Sequence, residues 1–227
     1  LSASCSIAIE AGILSSFSFD SDSLVSGPDS FAVFQNSKGI VQLTSSYRFS
    51  GYQSVEIRDT AGDSSFPELQ GYFKEKKSGM IHFSFALLTT DPSQGFDIAL
   101  AGRECFIIKK DGIALWFHFR NKVLSVFSDH RFVPVTELEA FTWYFFRGQY
   151  NINRGTFDFD LQKENSNSWR KSLSKQKNAA GVSFSSVDKF SFIGDAPIVR
   201  DPAAPLQNQD IKKSHVTYDS STVAETG

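Results

Sequence analysis

Hydrophobic and polar residues alternate with a period of two along several segments of the chain, most clearly between residues 141 and 161. In the first half of this segment, Tyr144 and Phe146 fall on one face of an extended strand, and Arg147 and Gln149 fall on the other. The Asn-Arg-Gly run that follows is typical of a turn, because glycine adopts a positive φ at little cost. The alternation then resumes, so the segment predicts two antiparallel strands joined as a β-hairpin.

The same alternation recurs in a second hairpin and in at least five other segments. In residues 113–120, Leu115 and Phe117 share one face, whereas Trp116 and His118 share the other. The next two residues, Asn-Lys, have the length of a two-residue hairpin loop. No segment keeps a helical repeat over three turns. Ten or more short strands separated by turns predict an all-β fold, a two-sheet antiparallel jelly-roll sandwich with little or no helix.

Composition narrows the class of protein without identifying an activity. The chain has 227 residues, of which 41% are hydrophobic and 23 are Phe, so it has ample bulky apolar surface for a core. The 23 basic and 25 acidic residues are well mixed and leave a net charge of −2, so no basic patch points to nucleic acid. No apolar run reaches the roughly 20 residues of a membrane-spanning helix. We therefore expect neither a nucleic-acid partner nor a membrane-spanning segment.

The two cysteines, Cys5 and Cys105, are too few for a disulfide scaffold or a Cys-based zinc site. They either form one bridge or remain two separate thiols. The small residues before Cys5 resemble the end of a bacterial lipoprotein signal, although Leu1 stands one place too early. A lipoprotein anchored through Cys5 is therefore one expectation for the localisation, and a chance run of small residues is the preferred alternative.

Four sequence motifs follow one another along residues 13–219: Phe-Ser-Phe-Asp at 17–20, Ser-Gly-Tyr-Gln-Ser-Val-Glu-Ile at 50–57, Thr-Trp-Tyr at 142–144 with its hairpin, and Val-Asp-Lys-Phe-Ser-Phe-Ile-Gly at 187–194. After the last of these, Asp-Ile-Lys-Lys-Ser-His-Val at 210–216 takes the place of a final strand. Together, and in that order, they resemble the laminin-G-like and concanavalin A-like jelly rolls. The resemblance implies two antiparallel sheets, one of them concave, with a ligand on the concave face or the rim loops. It also implies a glycan or protein-surface ligand and a secreted, periplasmic or cell-surface location.

We interpret the chain as a single jelly-roll domain over 1–227. Within it we expect a 1–12 amino-terminal extension, a polar excursion over 163–181, a Pro-rich closing loop at 196–209, a last strand at 210–219 and a tail at 220–227.

The polar faces of the strands supply the candidate ligand-binding residues, Trp116, His118, Arg120, Arg147, Asp158 and Asp160. We place them on one shared face, together with Glu56, Arg58, His82, Ser84 and Gln149. Trp116 beside His118 suits sugar binding, because a flat ring stacks on the sugar while neighbouring donors bind its hydroxyl groups. Pairing the hairpin about its turn also sets Arg147 opposite Asp160 as a cross-strand ion pair. The predicted function is a non-catalytic, extracytoplasmic binding or adhesion module that recognises a glycan.

A polysaccharide lyase of the same fold is the main alternative. A lyase needs a cationic or amide group to neutralise a uronate and a Tyr or His to shuttle the proton. Arg58, His82, Gln149 and Tyr150 are the candidates, because their segments look distantly like the three motifs of jelly-roll lyases. The leading Arg of the first motif, the Gln of the second and the Lys-Ala-Gly run of the third are absent.

Two further alternatives remain open. A glycoside hydrolase needs two carboxylates about 5–5.5 Å apart in its retaining form, and Asp158 and Asp160 supply a pair without the family's Glu-x-Asp-x-x-Glu motif. A structural protein–protein interaction module of a surface assembly would need no chemistry at all.

Calcium is the one cofactor that the sequence leaves open. It is frequent in the family that the chain resembles, although no family calcium site aligns with this sequence. We expect Asp91, Asp97, Asp195 and Asp201 to lie in loops, where their oxygens could bind calcium, although ordinary turn and capping chemistry is the preferred interpretation.

Overall fold

The computed structural model describes residues 2–9, 12–17, 19–23, 31–35, 39–58, 67–102, 113–177 and 186–194. These residues form fifteen strands and no helix, so none of them lies in a helix that could cross a membrane. The strands are β1 Ser2–Ile9, β2 Gly12–Phe17, β3 Phe31–Phe34, β4 Ile40–Thr44, β5 Ser54–Arg58, β6 Glu68–Lys76, β7 Met80–Thr89, β8 Phe96–Ala101, β9 Ile113–Arg120, β10 Val123–Ser128, β11 Arg131–Glu137, β12 Thr142–Asn151, β13 Thr156–Lys163, β14 Arg170–Lys177 and β15 Val187–Gly194.

The described strands pair into two antiparallel sheets. Sheet A has the order β14-β13-β12-β7-β1-β5-β4, and β2 pairs with β1 beside this path. Sheet B has the order β11-β10-β9-β8-β15-β6-β3. Strands that are distant in sequence, such as β7 and β12, or β8 and β15, are neighbours in space, as in a jelly roll. The predicted all-β, two-sheet sandwich is confirmed.

Phenylalanine rings fill the space between the two sheets. Phe85 and Phe146 of sheet A stack with ring centroids 4.7 Å apart. Phe117 and Phe192 of sheet B approach the Phe85 ring edge-on, at 6.0 and 5.7 Å. All four rings are buried. The period-two alternation of the sequence thus aims one side of each sheet at a common aromatic core.

Two tight turns connect the antiparallel strands β9, β10 and β11. Asn121 and Lys122 have φ values of 51° and 69°, and Asp129 and His130 have values of 49° and 67°. Two consecutive positive φ angles characterise the hairpin turn that matches the twist of the strands. The first turn was predicted from the sequence. The second turn and strand β11 were missed, because Pro134 interrupts the strand signal; a proline is tolerated there since β11 is an edge strand.

The predicted polar excursion over 163–181 is wrong in part, because Arg170–Lys177 forms strand β14 at the other edge of sheet A. Its sequence, RKSLSKQK, has one large apolar residue, so it lacks the alternation that identifies a strand. Lysines on an edge strand discourage pairing with other chains. A register shift between Phe157 and Phe159 also marks a bulge in the β13–β14 ladder.

The first residues belong to the body of sheet A. Within the expected 1–12 extension, strand β1 lies between β7 on one side and β5 and β2 on the other. Small residues alternate with Ala and Ile there, which is a weak signal for a central strand. Cys5 is in β1, whereas Cys105, the closing loop at 196–209, the last strand at 210–219 and the tail lie outside the described residues. The pairing of the cysteines stays a prediction.

Candidate functional site

An open groove of about 720 Å³ lies on sheet A across strands β7, β12, β13 and β14. Its floor is the side of the sheet that faces away from the core. Phe83, Gly148 and Phe159 also line the groove, although they occupy core-facing positions of their strands. The polar lining residues are His82, Ser84, Arg147, Gln149, Asp158, Asp160, Ser174 and Lys175. The groove therefore unites Arg147, Asp158 and Asp160 of the predicted binding set with His82 and Gln149 of the predicted lyase set.

Strand register arranges the central groove residues in two rows. Gln149 is paired with His82 on one side and with Asp158 on the other, which makes the first row. Arg147 is paired in the same way with Ser84 and Asp160, which makes the second row. Residues two apart on one strand point the same way and are about 6.6–7 Å apart, while neighbouring strands are about 4.7–4.9 Å apart. The two rows thus form a grid of polar groups on one surface.

Asp158 ties the first row to the edge strand. One of its carboxylate oxygens accepts the Lys175 backbone N–H at 2.7 Å, and the other accepts the Gln149 Nε2–H at 3.1 Å. Lys175 has a φ of 53°, in the left-handed region, at the β14 bulge. The carboxylate therefore supports the bulge that carries the Lys175 side chain to the rim of the groove.

Arg147 is held from two directions. Its Nε donates to Asp160 Oδ2 at 3.4 Å, and its guanidinium carbon lies 3.8 Å from the centre of the Trp169 ring. The ion pair is partly exposed and weak by itself, worth about 0.2–1 kcal/mol. A cation over an aromatic face adds a second restraint. The Arg147–Asp160 pair that was predicted from the hairpin register is confirmed by this geometry.

An aromatic wall continues from Trp169 along the same surface. The ring centroids of Phe145 and Trp169 lie 5.2 Å apart. Phe49 stacks on Phe145 with nearly parallel rings whose centroids are 5.7 Å apart. Phe49 also meets Trp143 edge-on at 5.6 Å and remains 45% exposed. Phe49 belongs to the 45–53 loop, which a hydrogen bond from the Ser54 hydroxyl to the Tyr47 carbonyl fastens to the sheet.

Sequence reasoning missed most of this wall and the edge of the groove. Trp169 lies in a segment with no alternation, and Phe49 lies in a loop, so neither has a pattern that assigns it to a face. Lys175 lies in the segment that was predicted as a polar excursion, so it was not assigned to a strand face. The alternation along β12 did place Trp143 and Phe145 on the same side of the strand as Arg147.

Four groove side chains have no hydrogen-bond partner among the residues that the structure describes. They are the His82 imidazole, the Ser84 and Ser174 hydroxyls and the Lys175 ammonium group, and the terminal guanidinium nitrogens of Arg147 have none there either. These groups are available to a ligand, whereas the carboxylate of Asp158 already has two internal donors.

The prediction of one shared face is wrong. Trp116, His118 and Arg120 lie on β9 in sheet B, whereas Arg147, Asp158 and Asp160 lie on β12 and β13 in sheet A. Alternation assigns a residue to a side of its own strand but does not say which sheet the strand joins. The polar sides of β9 and of β12 and β13 therefore belong to different sheets.

Trp116 is 5% exposed and does not form an open stacking platform. Its indole N–H donates to Asp97 Oδ1 at 2.6 Å, and its ring packs on Phe127 and Phe132 at 5.2 and 5.5 Å. His118 Nδ1 lies 2.8 Å from the same Asp97 oxygen. This cluster is a buried, hydrogen-bonded part of sheet B.

The predicted lyase residues do not come together. Tyr150 is fully buried in the core, because it follows the core-facing side of β12, so its hydroxyl does not reach the groove. Ser2 pairs with both Glu56 and Leu88, so Glu56 lies level with Leu88 across sheet A. Arg58 lies two residues beyond that level and His82 lies six residues before it. The two side chains are therefore eight residues apart along the strand direction, about 26 Å at 3.3 Å per residue. Only His82 and Gln149 are neighbours.

The described residues include no group of three or more His, Cys, Asp or Glu side chains placed to hold a metal ion. Asp97 is not in a loop as expected, but is buried in β8. Asp91 is in a turn, where hydrogen bonds from the Ser93 hydroxyl and backbone N–H lower the pKa of its carboxyl group. Asp195 and Asp201 lie outside the described residues, and calcium stays a prediction.

Comparisons with known proteins bear on the fold. No protein-family description and no curated protein matches the chain. Among solved structures, a sialidase superposes with a TM-score of 0.58 at 10% identity over 90% of this chain, which spans only 18% of that sialidase. Lectin I-B4 from Griffonia simplicifolia, in its metal-free form, covers 78% of this chain and 93% of its own length, with a TM-score of 0.42 and 10% identity. The likeness to the sialidase agrees with the β-sandwich fold, while the concanavalin A-like and laminin-G-like assignments stay predictions.

Proposed function

We propose that the protein is a non-catalytic glycan-binding module and that its ligand lies in the sheet A groove. The observation that carries this proposal is the two-row grid, in which His82, Ser84 and Arg147 keep hydrogen-bonding groups without a partner among the described residues, beside an aromatic wall. The likeness to the sialidase supports the fold only, so the choice of a glycan depends on the groove itself.

The chemistry of the groove suits a sugar. A pyranose presents hydroxyl groups around its edge and apolar C–H groups on its faces. Charged and amide side chains such as Arg147 and Gln149 bind hydroxyl groups in fixed directions, and the aromatic wall beside Arg147 supplies apolar surface for C–H groups. The grid spacing of about 4.8 by 7 Å brings several such groups within reach of one ring.

Binding fits the groove better than turnover does. A lyase or hydrolase needs an acid or base within hydrogen-bond reach of the reacting atoms. Tyr150 faces the core, and Asp158 is engaged by Lys175 and Gln149. His82 is the one remaining proton carrier of the lyase set that faces the groove.

A glycan array followed by calorimetry tests the proposal. We expect at least one glycan to bind the parent protein, and His82→Ala and Gln149→Ala to weaken that binding at least about tenfold, the loss of roughly one well-placed hydrogen bond of 1.4 kcal/mol. Arg131→Ala, an exposed change on sheet B, is the matched control and should bind like the parent. Both groove variants should keep the parent's circular dichroism spectrum.

Three outcomes would contradict the proposal. Groove variants that bind the glycan like the parent would place the ligand elsewhere. Product formation from a polysaccharide, abolished by His82→Ala, would favour the lyase. A chain that binds no glycan but co-purifies with a protein partner would favour the structural module.

A further inference from the structure

We infer that the glycan of the proposed function carries a carboxylate group, and that the Arg147 guanidinium binds this carboxylate. The inference extends the proposed function to a class of ligand, a sugar acid. Two sources present the same chemistry, a uronate unit within a polymer and a terminal sialate, and the experiment below separates them.

The position of Arg147 is the first reason. The bond to Asp160 uses Nε, on the inner side of the guanidinium, and the Trp169 ring covers one face of the plane. The terminal nitrogens, which have no partner among the described residues, are left to form the two parallel hydrogen bonds that a carboxylate accepts. A guanidinium held in this way loses little side-chain entropy when it binds.

The balance of donors and acceptors is the second reason. Asp158 already receives hydrogen bonds on both oxygens, and Asp160 receives one from Arg147. Two groups without a partner within the described part of the groove, the Lys175 ammonium group and the terminal Arg147 nitrogens, are cationic and can only donate. Sugar hydroxyls need acceptors as well as donors, whereas a carboxylate at neutral pH only accepts. These two cationic groups therefore favour an anionic ligand over a neutral one.

The aromatic wall is the third reason. Trp169 and Phe145 border Arg147 on the side away from the first polar row. The Trp169 ring restrains the half-exposed Arg147 guanidinium, so that its orientation is set before a ligand binds. The wall also offers a surface for the C–H face of the sugar ring that bears the carboxylate.

Calorimetry with matched acid and ester ligands tests the inference on the full chain. One arm compares trigalacturonate with its methyl ester, and a second compares sialyllactose with its methyl ester. In the arm whose sugar acid is of the class that the groove binds, we expect the methyl ester to bind at least about tenfold more weakly than the acid. The ester carries no charge and cannot accept a charge-assisted bidentate pair.

Two substitutions make the test specific to Arg147. Arg147→Lys keeps the charge but loses the fork and the ring contact, so the acid should bind at least about tenfold more weakly while the ester is little changed. Arg131→Ala, on the other sheet, should leave both affinities at the parent values. A normal circular dichroism spectrum of Arg147→Lys shows that the fold is intact.

Outcomes for this inference and for the proposed function are distinguishable. If the acid binds more tightly than its ester in neither arm, or if Arg147→Lys binds the preferred acid like the parent, the inference is overturned. If neutral glycans bind and respond to His82→Ala while neither acid has an advantage, glycan binding stands and the carboxylate does not. If neither acidic nor neutral glycans bind, both fail.

Discussion

The Asp158 carboxylate holds the backbone N–H of Lys175 at 2.7 Å, across the β13–β14 ladder at its bulge. Lys175 has a positive φ there, a conformation that costs a non-glycine residue free energy. A side chain on one strand thus stabilises an irregular backbone on the next and places Lys175 on the groove rim.

Asp158→Ala should therefore loosen the bulge. We expect the free energy of unfolding to fall by about 0.5–1.5 kcal/mol, the usual worth of one such hydrogen bond, and the Lys175 amide to exchange faster with deuterium. Asp158→Asn keeps an oxygen acceptor and should restore slow exchange. Urea unfolding and amide exchange are the measurements, with Asp160→Ala as the control. Unchanged exchange at Lys175 in Asp158→Ala would show that the carboxylate does not support the bulge.

Substitution of Trp116 should affect stability but not ligand binding. Trp116→Ala should lower the free energy of unfolding by about 3–5 kcal/mol, because it removes a large buried ring. Trp116→Phe should cost about 1–3 kcal/mol, since Asp97 loses a buried donor. Denaturant unfolding and glycan titration of the folded fraction measure the two effects. A stable Trp116→Ala variant with weakened glycan binding would indicate that the ligand binds on sheet B rather than in the sheet A groove.

Gly148→Ala should destabilise sheet A. A Cβ atom at this position would lie 2.4 Å from Phe83 Cζ and 2.5 Å from the Asp158 carbonyl oxygen. The ring can move but the paired backbone cannot, so we expect a loss of about 1–3 kcal/mol, as for overpacked cores. Adding Phe83→Leu should recover only part of the loss. Thermal unfolding of both variants is the test, and a Gly148→Ala variant as stable as the parent would contradict the close approach.

Glu68 should make stability depend on pH. Its carboxyl group is enclosed although the residue as a whole is partly exposed; burial raises its pKa, while hydrogen bonds from Ser191 and Gln70 and the charge of Lys189 act in the opposite direction. A carboxyl with a folded pKa above its unfolded value of about 4.3 binds more protons in the folded state. Its contribution is therefore fully present below the unfolded pKa and is lost as pH rises through the folded pKa.

Glu68→Gln should remove that pH dependence. The difference in free energy of unfolding between variant and parent should shift in favour of the variant as pH rises from 4 to 8. Urea unfolding across this range measures it, with the exposed Glu137→Gln as the control. A difference that moves in favour of the parent over the same range would mean that ionised Glu68 is stabilised in the fold.

The sequence by itself determined the class of fold and the local hairpins. Period-two alternation identifies strands, because successive side chains point to opposite faces, and the 141–161 hairpin even predicts that Arg147 faces Asp160. Short-range register depends only on a turn and the residues next to it, so it can be read along the chain. Strands without alternation, such as β14, and strands interrupted by proline, such as β11, leave no such signal.

Only the tertiary structure decided which faces form a site. Alternation puts Trp116 and Arg147 equally on the polar sides of their strands, but long-range pairing sends β9 to sheet B and β12 to sheet A. The groove also depends on Trp169 and Lys175, whose positions follow from the bulge and from contacts with Arg147 rather than from local pattern. Sheet membership is set by contacts between residues far apart in the sequence, which is why the sequence predicted the strands while the fold assembled the site.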